Sequence, residues 1–235
     1  MSSPVVTHPR VSVRRGAARA RTWWGKAWVR AVEEASYAEA DLRAARALSR
    51  SGSVGQIAVG AGTWVAAVLE GDDSSTVAGT LPVLDDDALD ALVETVAAES
   101  GRIGALLGGD LPHTLVEHAE EAGVELLPYG SELACTCSCE AWADPCVHAL
   151  AVLHQLAWLI EADPLVLLHL RGLSRDDLLA RLHGRSTGPI TGPTTPDPEA
   201  ADLDLDTAYD AAVRAARVLE LLGSPGTDPA IDHLV

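Results

Sequence analysis

The spacing of apolar positions along the chain changes period several times, and each change marks an element. Trp23, Ala27, Val29, Val32 and Ala35 recur at helical intervals behind Thr22, whose hydroxyl suits an N-cap. The helical signal resumes over 38–48 and stops at Ser51-Gly52. The period then shortens. Residues 54–59, 63–69 and 76–81 are β-rich runs separated by Gly60-Ala61-Gly62 and by residues 70–75, which predicts a three-stranded antiparallel meander. Asp85-Asp86-Asp87 opens a helix carrying Leu89, Leu92, Val93 and Val96, with its carboxylates at the positive end of the dipole. Three successive helical carboxylates do not converge on one face, so they are read as a cap and not as a metal site.

Short helices are predicted over 103–107 and 111–122, the second with Pro112 in its first turn. Residues 124–127 read as a strand with 132–136 as its hairpin partner. Leu150, Val152, Leu153, Leu156, Leu159 and Ile160 place a helix over 147–162, which Asp163-Pro164 ends. A short helix then runs to Arg171-Gly172, and Ser174 caps the start of another at 178–182. The fold class is therefore α+β: an N-terminal helix, a three-stranded meander with flanking helices, a small ββα finger and a helical C-terminal part. The expected boundaries are an arm over 1–20, a body over 21–130, the finger with its following helices over 131–183, a Pro/Gly/Thr linker over 184–205, an amphipathic helix over 206–223 and a tail over 224–235.

Charge changes the picture at one end. Residues 1–50 hold ten Lys+Arg against four Asp+Glu, although the chain as a whole is at −17. The acidic remainder repels DNA at long range, so only the N-terminal arm, with Arg10, Arg14, Arg15, Arg19 and Arg21, has the sign for nucleic-acid contact. Val11 and Val13 alternate there, so the arm is either a short strand or a flexible basic tail. Trp23, Trp24 and Trp28 read as core anchors, with a base-stacking platform as the alternative. No apolar run approaches the roughly 20 residues that span a bilayer, and no apolar signal core follows the first arginines, so a cytoplasmic protein is expected. The absence of Phe, with abundant Ala, Arg and Asp, suggests a high-GC, actinobacterial source.

The candidate chemistry lies in one stretch. All four cysteines, Cys135, Cys137, Cys139 and Cys146, fall within twelve residues, and His148 follows two positions later. Soft donors this closely spaced read as a Zn²⁺ site. Cys-x-Cys is poor disulfide spacing, which weighs against a disulfide pair. Cys146 and His148 sit at a helix entrance, where free backbone N–H groups favour thiolate. Three thiolates and an imidazole leave no open position, and closed sites are structural. Spacing alone leaves open whether Cys135 or Cys139 pairs with Cys137. Trp142, inside the loop, is expected to cover the cluster as an apolar shield.

Cys137-Ser-Cys139, six residues, then Cys146-Val147-His148 resembles the C-x-C…C-x-H signature of a SWIM zinc finger. Asp163-Pro164, Leu170-Arg171-Gly172 and Trp23-Trp24-Gly25-Lys26-Ala27-Trp28 resemble further segments of bacterial members, so the likeness spans about 21–183. The resemblance implies Cys137, Cys139, Cys146 and His148 as ligands, with Cys135 a spectator or substitute. It departs from the pattern at Val147, where a basic residue is common. SWIM proteins occur in or beside Swi2/Snf2-type ATPases, so the resemblance implies DNA-associated work with such a protein partner. No G-x-S-x-G, Walker or HExxH motif occurs, and no enzyme is expected. Three functions are weighed: a zinc-stabilised adaptor docking a protein partner, a direct DNA binder acting through the basic arm, and a redox sensor in which Cys135 and zinc-bound Cys137 are oxidised to a disulfide and the metal is ejected.

Overall fold

Thr22 caps the first helix, α1 (Trp23–Ala35), by accepting from the Gly25 N–H. These assignments come from a computed structural model that describes residues 4–14 and 20–186. The three tryptophans of α1 each use their indole N–H on a distant carbonyl: Trp23 on Leu111 at 3.0 Å, Trp24 on Ile160 at 3.0 Å and Trp28 on Leu153 at 3.1 Å. Two of those carbonyls belong to α6 (Val147–Ala162), so the tryptophans join α1 to it. Gly25 lets α6 approach closely, since a Cβ there would lie 2.4 Å from Glu161 Cγ. Glu161 in turn accepts from the Thr22 N–H at 2.8 Å and from the Arg21 N–H, satisfying donors before the helix starts. Trp24 and Trp28 are buried, so these rings anchor the core and form no stacking platform.

The second helix, α2 (Glu39–Arg50), leads into an antiparallel sheet that has five strands where the periodicity showed three. The central meander is β2 (Val54–Gly60), β3 (Thr63–Glu70) and β4 (Asp73–Thr80), close to its expected bounds. Its second turn is tighter than expected: Glu70 pairs with Asp73, leaving only Gly71-Asp72, with Gly71 at φ +64°. Asp73, Ser74 and Ser75 are poor strand formers by composition, and the ladder with β3 overrides that. Strand β1 (Val6–His8) adds to β2 at one edge and β5 (Ala134–Cys137) to β4 at the other. Strand β1, with three residues, is too short for alternation to announce it, whereas β5 falls close to the strand expected over 132–136.

Two sequence expectations are corrected by this topology. The arm is tied down where it is described: Val6–His8 is a strand, Arg10 Nε donates to Gly52 O at 2.7 Å, and the Arg14 guanidinium lies 4.4 Å from the Trp158 ring centroid. Arg15 and Arg19 lie outside the described residues. Nor does the finger form its own hairpin. Residues 124–127 are not a strand, because Arg171 draws the Leu126 and Leu127 carbonyls out of any ladder. The strand expected beside them pairs with β4 instead, completing an edge that would otherwise be open. The sheet thus runs across the boundary expected at 130.

Helices α3 (Asp86–Ala97), α4 (Ser100–Leu107) and α5 (His113–Glu121) follow the meander. Asp85 caps α3 by accepting from the Ala88 N–H at 2.8 Å, as the acidic run predicted. Helix α6 is buried on nearly every side, with even Gln155 fully enclosed and donating to Ser49 O at 2.7 Å. It is a core helix, as an all-round apolar composition requires. Then come α7 (Leu165–Leu170) and α8 (Arg175–Ser186), the latter capped by Ser174 through the Asp177 N–H. The described residues through 186 fall in one compact unit. Most of the expected linker, the helix over 206–223 and the tail lie outside the described residues.

Candidate metal centre

Strand β5 delivers Cys137 to its end, and the chain then turns through residues 138–145 before Cys146 takes the N-cap position of α6. The turn is pinned to β4 at its start: the Ser138 N–H donates to Thr76 O at 3.0 Å, and the Thr76 N–H donates to Ser138 Oγ at 2.9 Å. Helix α6 then presents His148 in its first turn. These constraints bring one donor atom each from Cys137, Cys139, Cys146 and His148 within 4.8 Å of one another. Cys139 Sγ and Cys146 Sγ are 3.5 Å apart, and Cys137 Sγ is 3.7 Å from His148 Nδ1. A tetrahedron with Zn–S of about 2.3 Å and Zn–N of about 2.0 Å has edges of about 3.5–3.8 Å, so the donor set fits Zn²⁺.

His148 would hold the metal through Nδ1 in this arrangement, because its other nitrogen is occupied. Nε2 lies 2.6 Å from Glu70 Oε2 at the end of β3, which fixes ring orientation and leaves the Nδ1 lone pair toward the sulfurs. Sequence reasoning missed Glu70. It is 78 residues from His148, and no local signal distinguishes it from other strand-end carboxylates.

The thiols differ in environment. Burial raises the Cys137 pKa, although a backbone N–H at Cys139 opposes it. Cys139 sits in a similar conflict but resolves it the other way: burial raises it, while hydrogen bonds from the Ala141 N–H, His148 and the neighbouring thiols bring it down to about 7. At Cys146 the Ala149 N–H favours the thiolate, as the helix entrance implies, while burial in the cluster opposes it and, without a metal, pushes the thiol up to about 12. For His148, burial disfavours the charged ring, and the bonds to Glu70 and Cys139 outweigh it, so its pKa is raised.

Cys135 stands apart from the four donors. It is buried in the core on β5, opposite Gly79, and burial, followed by the charges of Asp144, Cys146 and Cys137, pushes its thiol up to about 12. That is a poor environment for the thiolate a redox sensor needs. Trp142 departs from its expected place. It is 80% exposed, and its ring packs edge-on against Tyr37 with centroids 5.1 Å apart, so the cluster is not shielded by a buried indole. Beside the centre lies a cleft of about 450 Å³ lined by Glu70, Asp73, Ser75, Ser138 and Glu140. Of the arginines with the sign for nucleic-acid contact, Arg21 is exposed, and Arg10 and Arg14 make the internal contacts given above.

Residues 122–157 match the SWIM zinc finger family, over a span that starts just past α5 and takes in β5, the turn and most of α6. The chain is also 30% identical over 171 residues to Uncharacterized protein Rv2102 of Mycobacterium tuberculosis, an actinobacterium, covering 72% of this chain and 61% of that protein. It therefore spans less than two thirds of that relative's length. No solved structure matches. No described helix is long and apolar enough to cross a membrane.

Proposed function

We propose that this protein is a zinc-stabilised, non-enzymatic interaction module, an adaptor in a DNA-associated complex that docks a helicase- or ATPase-type protein partner. The observation that carries the reading is the closed donor set of Cys137, Cys139, Cys146 and His148, backed by Glu70. Four protein ligands leave no position for substrate or water, which is how structural zinc is held. Bound metal would cross-link β5, the turn and α6, fixing the shape of a surface that has no other internal tie of comparable strength.

Charge supports protein over DNA as the direct partner. The cleft beside the centre carries Glu70, Asp73 and Glu140, and there is no Lys or Arg from 103 to 170. Phosphate binding by the finger would need the opposite sign. The experiment is affinity capture from the native host with the zinc-loaded full-length protein and with Cys139→Ser, each with and without nuclease. An ATPase recovered by the wild type after nuclease treatment, and lost with Cys139→Ser, is the expected result. Recovery of DNA alone, abolished by neutralising Arg10, Arg14, Arg15, Arg19 and Arg21, would overturn the adaptor reading.

A further inference from the structure

Two large aromatic rings stand in solvent where the metal turn meets the α1–α2 connection. Trp142 is 80% exposed and Tyr37 76%. By contrast Trp24, Trp28 and Trp64 are at most 4% exposed. The two rings hold one another in a T-shaped contact, centroids 5.1 Å apart and planes at 81°. Such a contact orients the two rings against one another but gains far less than burying either would. Exposed, pre-oriented Trp and Tyr are the residue types that dominate protein-docking energetics.

The surrounding charge selects what docks. Within four residues of either ring in sequence the carboxylates are Glu33, Glu34, Glu39, Asp41, Glu140 and Asp144, with no Lys or Arg. Arg46 pairs with Glu33 and Glu39, Arg43 with Glu39 and Arg30 with Glu34, whereas Glu140 and Asp144, on either side of Trp142, have no ion-pair partner among the described residues. A phosphate backbone is repelled by such a surface, which disfavours base stacking here despite the aromatic rings. A guanidinium or ammonium is attracted both by the carboxylates and by the ring faces. The protein makes this contact within itself, where Arg14 lies 4.4 Å from the Trp158 centroid.

We propose that the Tyr37–Trp142 pair is the docking site for an arginine- or lysine-rich segment of a partner protein, and that metal in the adjoining turn presents it. The inference rests on the adaptor reading and gives its partner a chemistry. Trp142 lies between ligands Cys139 and Cys146, so its position depends on the cross-link, whereas Tyr37 is placed by α1 and α2.

The test titrates zinc-loaded full-length protein with a short arginine-rich peptide and, separately, with an oligothymidylate of matched length, at physiological salt. The peptide is expected to bind and the oligothymidylate not to. Trp142→Ala and Tyr37→Ala should each weaken the peptide by about tenfold, as loss of an aromatic hot spot does, with Trp142→Phe restoring most of it. Chelation should reproduce the Trp142→Ala loss. Should Trp142→Ala lose zinc, Tyr37→Ala, outside the metal turn, carries the comparison. Peptide affinity unchanged in both alanine variants would mean general attraction to an acidic protein and would sink the site. Oligothymidylate binding that depends on Trp142 would make it a nucleic-acid surface instead. A host partner captured equally well by Trp142→Ala and Tyr37→Ala would overturn this site while leaving the adaptor reading intact. Aromatic-dependent peptide binding with no host partner would do the reverse.

Discussion

The metal turn and the node at Arg171 each tie together segments distant in sequence, but they do so by opposite means. Arg171, at the end of α7, is only 2% exposed, and all five of its guanidinium N–H groups are used. It donates to the carbonyls of Leu126, Pro82 and Leu127 and to both oxygens of Glu132, at distances from 2.9 to 3.3 Å. Glu132 also accepts from the Tyr129 N–H, so the buried charge is neutralised and fully bonded. The metal turn would do the same job only once a cation bridges its four ligand atoms, which lie within 4.8 Å of one another. One node is complete within the chain; the other is conditional on an ion. That difference places the constitutive joint inside the body and the conditional one under the exposed Tyr37–Trp142 pair.

The comparison can be broken most severely at the metal. Cys139→Ser should abolish the single bound zinc, measured by elemental analysis, and open residues 138–146 to proteolysis. Structural zinc in isolated fingers is worth about 10–16 kcal/mol of apparent binding energy, so this is the largest expected effect. The α1–α6 joint should survive it, because its tryptophan bonds do not pass through the turn.

Arg171→Met should cost about 3–5 kcal/mol in urea unfolding, the loss expected when one partner of a buried pair is removed and Glu132 is stranded. Zinc content should stay at one per chain. If both nodes fell together, the claimed independence of constitutive and conditional joints would be wrong.

Acid separates them further. Burial works to raise the Glu132 pKa, but the bonds from Arg171 and from the Tyr129 N–H outweigh it and hold the carboxyl below its ordinary 4.5. Its folded pKa is depressed, so the unfolded chain binds the proton first as pH falls. The contribution is present above the ordinary value and lost as pH falls through the folded one. Glu132→Gln should flatten this part of the stability–pH curve between those limits, read from urea midpoints.

Two finer tests concern the metal turn. Glu70→Ala should weaken zinc about 10–100-fold, the usual cost of losing a carboxylate behind a ligating histidine, measured by chelator competition. Cys135→Ala should leave zinc stoichiometry unchanged and cost about 1 kcal/mol, the scale of a small core vacancy. A zinc loss in Cys135→Ala would promote that cysteine from spectator to ligand.

Much of this molecule could be read locally. Thr22, Asp85 and Ser174 announced helix starts because a cap is a contact between residues three apart. The meander announced itself through β-rich runs and glycine turns, and the zinc donors through spacing that a single ion can span. Strand β1 was missed because three residues carry no period; β5 was expected close to its place, but its partner was not, because the carbonyls of 126 and 127 serve Arg171.

What the sequence determined by itself was the inventory: most element types, caps, the cluster of candidate zinc donors, the acidic body and the tryptophan-rich first helix. Tertiary structure decided the pairings. It placed β5 on β4, aimed Glu70 at His148 across 78 residues, enclosed Arg171 with Glu132 across 39, left Cys135 in the core, and stood Trp142 against Tyr37 in solvent. The physical reason is that caps and metal spacing are set by the geometry of a few adjacent residues. A buried charge or an exposed ring is defined by what the rest of the chain brings to it, or fails to bring.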